Sequence, residues 1–110
     1  MSNPDEKLVG NKFRLKDIIE YQDNTIVSRA FMKKPSGNLT VFAFDDGQEL
    51  SEHTAPFDAY VIVLDGEVEI RIGGQPFMLT EGETIIMPAN VPHALKAVSR
   101  FKMLLIMIKS

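Results

Sequence analysis

The sequence contains no cysteine among its 110 residues. This absence excludes disulfide bonds, thiolate metal sites and a cysteine nucleophile. Basic residues form no cluster larger than the pair Lys33 and Lys34, and the net charge is −3. The chain therefore lacks the positive patch on which nucleic-acid binding depends, and we expect no nucleic-acid partner.

Long apolar stretches are also missing. The longest runs from Met103 to Ile108, whereas a membrane-spanning helix needs about 20 apolar residues. The first residues, MSNPDEK, are polar and lack the apolar segment of a signal peptide. We therefore expect a cytoplasmic protein with no membrane partner.

The composition is that of a globular chain, with 45% hydrophobic and 25% charged residues. Residues 1–10 are polar and without periodicity, and we interpret them as an N-terminal tail. Residues 11–110 are then long enough for a single domain with its own core. Within them, 12–21 is compatible with either a short helix or an irregular strand, and we expect this segment to add a strand to its own sheet or a partner's.

From Thr25 onward the pattern is that of seven or eight short strands about ten residues apart, separated by turn-forming residues. Residues 67–72 alternate between polar and apolar, which predicts that Val68, Ile70 and Ile72 point inward. Gly73 and Gly74 mark a turn after this strand, and Asp65 with Gly66 predicts a two-residue hairpin before it. The pattern predicts an all-β antiparallel sandwich or barrel.

Several of these strands are apolar on both faces. In residues 38–44, Leu39 and Val41 lie on one parity, while Phe42 and Phe44 lie on the other. A small barrel has only one interior, so this pattern indicates a second buried surface, for which a homodimer interface is the simplest interpretation.

The chain has only two histidines, and each lies in a similar setting. His53 follows Gly47 after five residues and precedes an apolar strand that ends at Gly66. His93 follows Gly82 and lies just after Pro88 and Asn90. Glycine, an apolar strand, a turn and a histidine thus occur in both halves of the chain.

This spacing resembles the two motifs of the cupin superfamily, whose fold is a small double-stranded β-helix or jelly-roll barrel. In the first motif, Gly47 and Gly66 occupy the two glycine positions, and His53 occupies the first histidine position. Ala55 occupies the second histidine position, and Ala59 occupies the glutamate position. In the second motif, Gly82, Pro88 and His93 match the first glycine, the proline and the histidine. Asn90 occupies the second glycine position, and Ala97 occupies the asparagine position. The resemblance covers residues 47–97 and implies the cupin fold.

Two of the positions that bind metal in many cupins carry alanine in this chain. Alanine stands at the second histidine position, Ala55, and at the glutamate position, Ala59. Asn90 replaces a glycine, and asparagine tolerates the left-handed backbone better than most residues. The spacing of the motif is therefore kept, while one imidazole and the carboxylate are lost.

Three interpretations of the histidine pair follow. His53 and His93 are polar groups in an apolar small-molecule pocket at the barrel mouth, with Ala55, Ala59, Val61 and Val63 on the strand parity of His53. Alternatively, both are weak ligands of a divalent metal (Zn, Ni, Fe or Mn), as in a metal-dependent cupin oxygenase, isomerase or lyase. In the third interpretation they are buried or rim histidines that bond to the backbone or to water and have no task. A separate alternative for the whole protein is a regulatory or purely assembling module, in which the barrel senses a metabolite or only dimerises.

Asp58 is the acidic residue nearest to the missing glutamate position. Its parity is opposite to that of His53, so it reaches the histidine site only if a bulge near Pro56 intervenes. Otherwise it is a rim carboxylate that bonds a turn or another subunit. The sequence does not identify a substrate, and catalysis stays open.

Overall fold

The computed structural model describes residues 6–109, and these contain nine β-strands and one short 3₁₀ turn. The predicted tail, residues 1–10, therefore lies partly outside the described residues. The strands, in chain order, are β1 (Ile26–Lys34), β2 (Gly37–Phe44), β3 (Glu49–His53), β4 (Ala59–Asp65), β5 (Glu67–Ile72), β6 (Gln75–Thr80), β7 (Thr84–Met87), β8 (His93–Ala97) and β9 (Phe101–Ile108).

All strand pairs are antiparallel and form two sheets. The five-stranded sheet has the order β1-β2-β9-β4-β7, and the four-stranded sheet has the order β3-β8-β5-β6. The predicted all-β class is confirmed, and the architecture is a jelly-roll barrel. Within residues 6–109 no helix is long and apolar enough to span a bilayer.

The core lies between the two sheets and is formed by the inward residues of both. Phe44 and Phe101, both fully buried, pack with ring centroids 4.7 Å apart. From the opposite sheet, Val68 and Ile70 are fully buried, which confirms the predicted alternation of β5. Burial of such side chains stabilises a fold by roughly 1.5–3 kcal/mol each.

The predicted Asp65–Gly66 hairpin is wrong. β4 pairs with β7 and β9, whereas β5 pairs with β6 and β8, so the chain passes from one sheet to the other at Gly66. Gly66 has a φ of +79°, and a Cβ built on it would overlap the carbonyl oxygen of Arg100. The same dipeptide that suits a hairpin turn also suits a tight corner, because both need a residue without a side chain. The predicted turn at Gly73 and Gly74 is confirmed between β5 and β6.

A second apolar cluster lies on the outer face of the five-stranded sheet. Val41 and Ala43 of β2 are fully buried there, although they point away from the barrel interior. Ile19, which follows the 3₁₀ turn at Leu15–Ile18, packs against them, and Leu8 joins the same cluster. The chain itself therefore covers part of the second surface that the two-faced strands predicted. The prediction that this segment adds a strand to the chain's own sheets is wrong.

Hydrogen bonds and cation–π contacts attach this N-terminal segment to the barrel. The hydroxyl of Tyr21 donates a 2.6 Å hydrogen bond to Asp65 at the end of β4. Arg100 and Lys102 lie 5.2 and 4.9 Å from the centroid of the Tyr21 ring. Arg100 also forms an ion pair with Asp45, at 2.8 Å. Burial and the bond to Asp65 raise the pKa of Tyr21 well above its ordinary value.

Tyr21→Phe removes only the hydroxyl and keeps the aromatic ring under the two cations. We expect a loss of about 1 kcal/mol in the free energy of unfolding, measured by urea denaturation at neutral pH. Because the pKa of Tyr21 is raised by folding, the wild type should also lose stability as the pH rises past the ordinary tyrosine pKa, and the variant should lose less. Tyr60→Phe is the control, since the Tyr60 hydroxyl has no hydrogen bond within the described chain. Equal effects of the two substitutions would contradict this role.

Gly66→Ala tests the corner between the sheets, and Gly47→Ala is its matched control. Both glycines have a φ near +80°, but only at Gly66 would the added Cβ meet the backbone, whereas Gly47 has nothing within 4 Å. We expect Gly47→Ala to cost about 1 kcal/mol from backbone strain and Gly66→Ala to cost about 3 kcal/mol or more. Coincident denaturation curves for the two variants would show that the backbone around Gly66 accommodates a Cβ with no additional loss of stability.

Candidate functional site

The two histidines, forty positions apart in the chain, are neighbours across a strand pair. His53 ends β3 and His93 begins β8, and their Cα atoms are partners in the antiparallel register. Directly opposed residues point to the same face of a sheet, so both side chains point to one side. The register shifts between Leu50 and His53, which places His53 opposite His93 at the end of the strand.

The imidazole rings meet through their Nε2 atoms. These two atoms lie 3.1 Å apart, and the ring centroids are 4.4 Å apart at an interplanar angle of 73°. The predicted meeting of His53 and His93 is thus present in the structure. The surroundings of the two rings differ, because His93 is 3% exposed and His53 is open to solvent.

Backbone carbonyls determine the tautomer of each ring. Nδ1 of His53 lies 2.7 Å from the carbonyl oxygen of Ser51, and Nδ1 of His93 lies 3.2 Å from that of Val91. A carbonyl oxygen only accepts, so each Nδ1 carries a proton and donates it. In two neutral rings both Nε2 atoms would then present lone pairs to one another. The short contact therefore needs a proton, a cation or a hydrogen-bond donor on the Nε2 pair.

Burial controls the charge on His93. Removal of this ring from water lowers its pKa, the Val91 carbonyl acts in the opposite direction, and the neighbouring His53 lowers it further. A state in which both rings are protonated is disfavoured, because it would bury a charge beside a like charge.

The loops that follow β3 and β7 bond to each other beside the histidines. The N–H of Asn90 donates to the carbonyl of Ala55 at 2.7 Å, and the N–H of Ala89 donates to the Asp58 carboxylate at 2.8 Å. Asn90 adopts the left-handed conformation, with a φ of 66°, as its position in the motif predicted. Asp58 is thus the rim carboxylate that bonds a turn, and it is not turned toward the histidine site.

The remaining predicted residues line the same interior from the opposite sheet. Ala59, Val61 and Val63 of β4 are 2%, 0% and 1% exposed and belong to the core cluster, and Ala55 is half-buried in the loop before them. Val61 and Val63 lie progressively farther along β4 from the loop that follows His53. Ala55 and Ala59 are therefore the predicted wall residues nearest to the mouth.

Three further side chains at this end of the barrel were not predicted from the sequence as part of the site. Met87 and Met107 flank Ala59 as its partners on β7 and β9, and Ile72 is the partner of His93 on β5. All three belong to the interior cluster. Loops 54–58 and 88–92 join the two sheets at this end of the barrel, where the mouth was predicted. The position of Met87, directly before Pro88 of the second motif, was the available signal.

The residues present do not fit the metal centre that many cupins share. Methyl groups stand at two of its four positions, Ala55 and Ala59, and the described residues include no group of three histidine, aspartate or glutamate side chains able to hold a metal. Two imidazoles remain, and their 3.1 Å separation is close to the roughly 3.3 Å expected for two nitrogens on one tetrahedral zinc ion. The pair can supply two ligands to a cation but not a complete site.

A jelly-roll barrel with two histidines at its mouth defines a cupin-like class of protein. Residues 40–109 match the cupin domain family model, and the chain belongs to the cupin superfamily. No curated protein matches the sequence.

Several solved structures of bacterial proteins are similar to this one. A conserved protein of unknown function from Streptococcus pyogenes is 36% identical, with a TM-score of 0.92, over 100% of this chain and 96% of that chain. A cupin 2 conserved barrel domain protein from Leptotrichia buccalis is 44% identical, with a TM-score of 0.85, over 88% of this chain and 47% of that chain. A cupin superfamily protein from Desulfitobacterium hafniense is 29% identical, with a TM-score of 0.87, over 92% and 93% of the two chains.

His93→Asn tests the protonation of the pair. Because folding lowers the pKa of His93, the unfolded chain binds the proton more readily. The wild type should therefore lose stability as the pH falls below about 6.5, the ordinary histidine value. The variant should show a flatter profile over that range in urea denaturation of chelator-treated protein. An unchanged slope would mean that His93 does not titrate differently in the folded state.

Proposed function

We propose that this cupin binds a small molecule at the mouth of its barrel through His53 and His93. The observation that carries the proposal is the convergence of the two Nε2 atoms at 3.1 Å while both Nδ1 atoms are bonded to backbone carbonyls. Each ring is thereby oriented by the backbone, which leaves its second nitrogen available for a ligand.

The chemistry of the pair favours a ligand with a hydrogen-bond donor, such as a hydroxyl or an amine. His93 is biased toward its neutral form, in which Nε2 accepts. The donor would lie at the two Nε2 atoms and bond to their lone pairs, on the side where His53 is open to solvent. The half-buried side chains at the mouth, Ile72 and Met107, offer apolar contact to the rest of the molecule. The proposed ligand is therefore a small metabolite with a polar head and an apolar body.

A second candidate is a divalent cation held by the same two nitrogens. The Nε2 separation favours it, and the missing ligands would have to come from the small molecule or from water. Without a carboxylate, such a site suits zinc or nickel better than iron or manganese. A cation bound in this way would be the basis of a metal-dependent oxygenase, isomerase or lyase.

The direct test is a thermal-shift screen on chelator-treated protein with hydroxy and amino metabolites, with and without zinc, nickel, iron or manganese. A ligand present at 100 times its Kd should stabilise the wild type by about 2.7 kcal/mol. We expect the shift to disappear in the His53→Ala, His93→Ala double variant. Glu49→Ala and Lys96→Ala are matched controls, because these residues lie on the same two strands and line a groove on the outer side of that sheet.

The pattern of shifts separates the candidates. A shift with the metabolite alone supports the donor ligand, whereas a shift only when metal and metabolite are both present supports the cation. Equal shifts in the wild type and the double variant would overturn the histidine site. If no compound produces a shift, the site has no small-molecule role, and a module that only assembles would be the better description.

A further inference from the structure

The inward face of β2 carries two polar side chains near the mouth. Phe42 and Phe44 of this strand pack in the interior cluster. Because side chains alternate along a strand and β2 pairs with β9 without a register shift, Asn38 and Thr40 lie on the same inward face. Both are half-buried, and within residues 6–109 neither side chain forms a hydrogen bond. A few unpaired polar groups on an otherwise apolar inner face are what orients a small ligand in most binding sites.

A lysine lies next to these two side chains. Lys33 on β1 is the partner of Asn38, and directly opposed residues point to the same face of a sheet, so Lys33 is on the inward side. It is exposed, and it forms no salt bridge with any carboxylate of residues 6–109. Lys34, the next residue along the strand, points to the opposite side. The inward face of β1 and β2 thus carries one positive charge beside an amide and a hydroxyl.

These groups lie at the same end of the barrel as the histidine pair. Asn38 is near the start of β2 and His53 ends β3, and loop 45–48 connects the other ends of these two strands. His93 begins β8, and Met107, the partner of Asn38, is near the end of β9. Both sheets therefore bring polar side chains to the same mouth.

The degree of burial shows which side of the mouth is open. One row of cross-strand partners crosses the five-stranded sheet at this level, and from β1 to β7 it comprises Lys33, Asn38, Met107, Ala59 and Met87. Exposure falls along this row, from an exposed lysine through two half-buried side chains to 2% and 3% at the last two. On the other sheet, the edge strand β3 carries the exposed His53, and β3 follows β2 through a short loop. The accessible side of the mouth is therefore bounded by β1, β2 and β3.

We infer that Lys33, Asn38 and Thr40 form a carboxylate subsite of the histidine site, and that the ligand is a small hydroxy acid or amino acid. This inference rests on the proposed function, because the hydroxyl or amine of the ligand is the donor that bonds to the Nε2 atoms. The ammonium group of Lys33 pairs with the carboxylate, and the amide N–H of Asn38 and the hydroxyl of Thr40 donate to its oxygens.

The charge of the subsite favours a carboxylate over a phosphate. A single lysine matches the single negative charge of a carboxylate, whereas phosphate is typically bound by arginine or by the N–H groups at a helix N-terminus. Residues 6–109 contain no α-helix that could supply such a terminus. The net charge of the chain, −3, also disfavours a doubly charged ligand.

Calorimetric titration of the chelator-treated full chain at low ionic strength tests the subsite. The probes are lactic, leucic and mandelic acid, each compared with its primary amide, which keeps the hydroxyl and removes the charge. The acid that binds best should bind about tenfold more tightly than its amide. Lys33→Met should abolish this preference, and Lys34→Met is the matched control that should keep it. The inference is overturned if no acid binds the wild type more tightly than its amide, or if Lys33→Met retains the preference.

Isosteric substitutions test the two neutral groups. Asn38→Leu and Thr40→Val remove polar atoms at nearly constant size, and each should weaken binding of the preferred acid several-fold. Circular dichroism of each variant checks that it is folded. Unchanged affinity for the acid in both folded variants would exclude these residues from the subsite.

A second pair of probes separates the subsite from the histidine site. Leucic acid and isocaproic acid differ only in the hydroxyl group, so the ratio of their affinities measures the contribution of the Nε2 pair. The His53→Ala, His93→Ala double variant should lose this ratio and keep the preference for acid over amide. A hydroxyl contribution without a preference for the acid would overturn the carboxylate subsite alone. A preference for the acid without a hydroxyl contribution would instead overturn the histidine site.

Discussion

The packing of two antiparallel sheets across one apolar interior is the constraint on which the structure depends. Phe44 and Phe101 lie in contact near the centre, and Val68 and Ile70 close the core from the opposite sheet. The chain has to cross between the sheets several times to build this core, and at Gly66 it does so without space for a side chain. These crossings bring distant segments together at the two ends of the barrel. At one end, loops 54–58 and 88–92 connect the two sheets, and the histidines lie beside them.

At the candidate site the two motif histidines are present and close together, although two other metal-binding groups of the motif are absent. His53 and His93 occupy motif positions, and the carbonyls of Ser51 and Val91 orient both rings. Ala55 and Ala59 replace the groups that would complete a metal centre. The remaining pair is one buried and one exposed imidazole, with their Nε2 atoms 3.1 Å apart. This difference in burial, rather than the motif itself, is the basis of the proposed ligand chemistry.

The outer face of the five-stranded sheet is partly covered by the chain's own N-terminal segment. Ile19 and Leu8 cover one half, next to Val41 and Ala43. The other half carries exposed side chains, among them Tyr60 and Ile86 of β4 and β7. Asp58 lies between this face and the loop that follows β7, because its carboxylate accepts a hydrogen bond from the N–H of Ala89.

Local pattern was sufficient to predict most of the secondary structure and the family. The alternation of β5, the turn at Gly73 and Gly74 and the left-handed Asn90 are properties of short stretches, and all were predicted correctly. The motif spacing also predicted that His53 and His93 meet, since each motif has a defined place in the fold. The separation of β4 and β5 into different sheets was not predictable, because the Asp65–Gly66 pair suits a hairpin and a corner equally well.

Tertiary structure alone decided the features that depend on distant segments. Which half of the outer face the N-terminal segment covers depends on the packing of Ile19, which no periodic pattern encodes. The burial of His93 beside an exposed His53 and the orientation of their Nε2 atoms depend on the register of β3 with β8. The same is true of Met87, Met107 and Ile72, which reach the mouth through strand pairing. The identities of these residues are known from the sequence, but the distances between them are set only when the strands pair and the two sheets pack against each other.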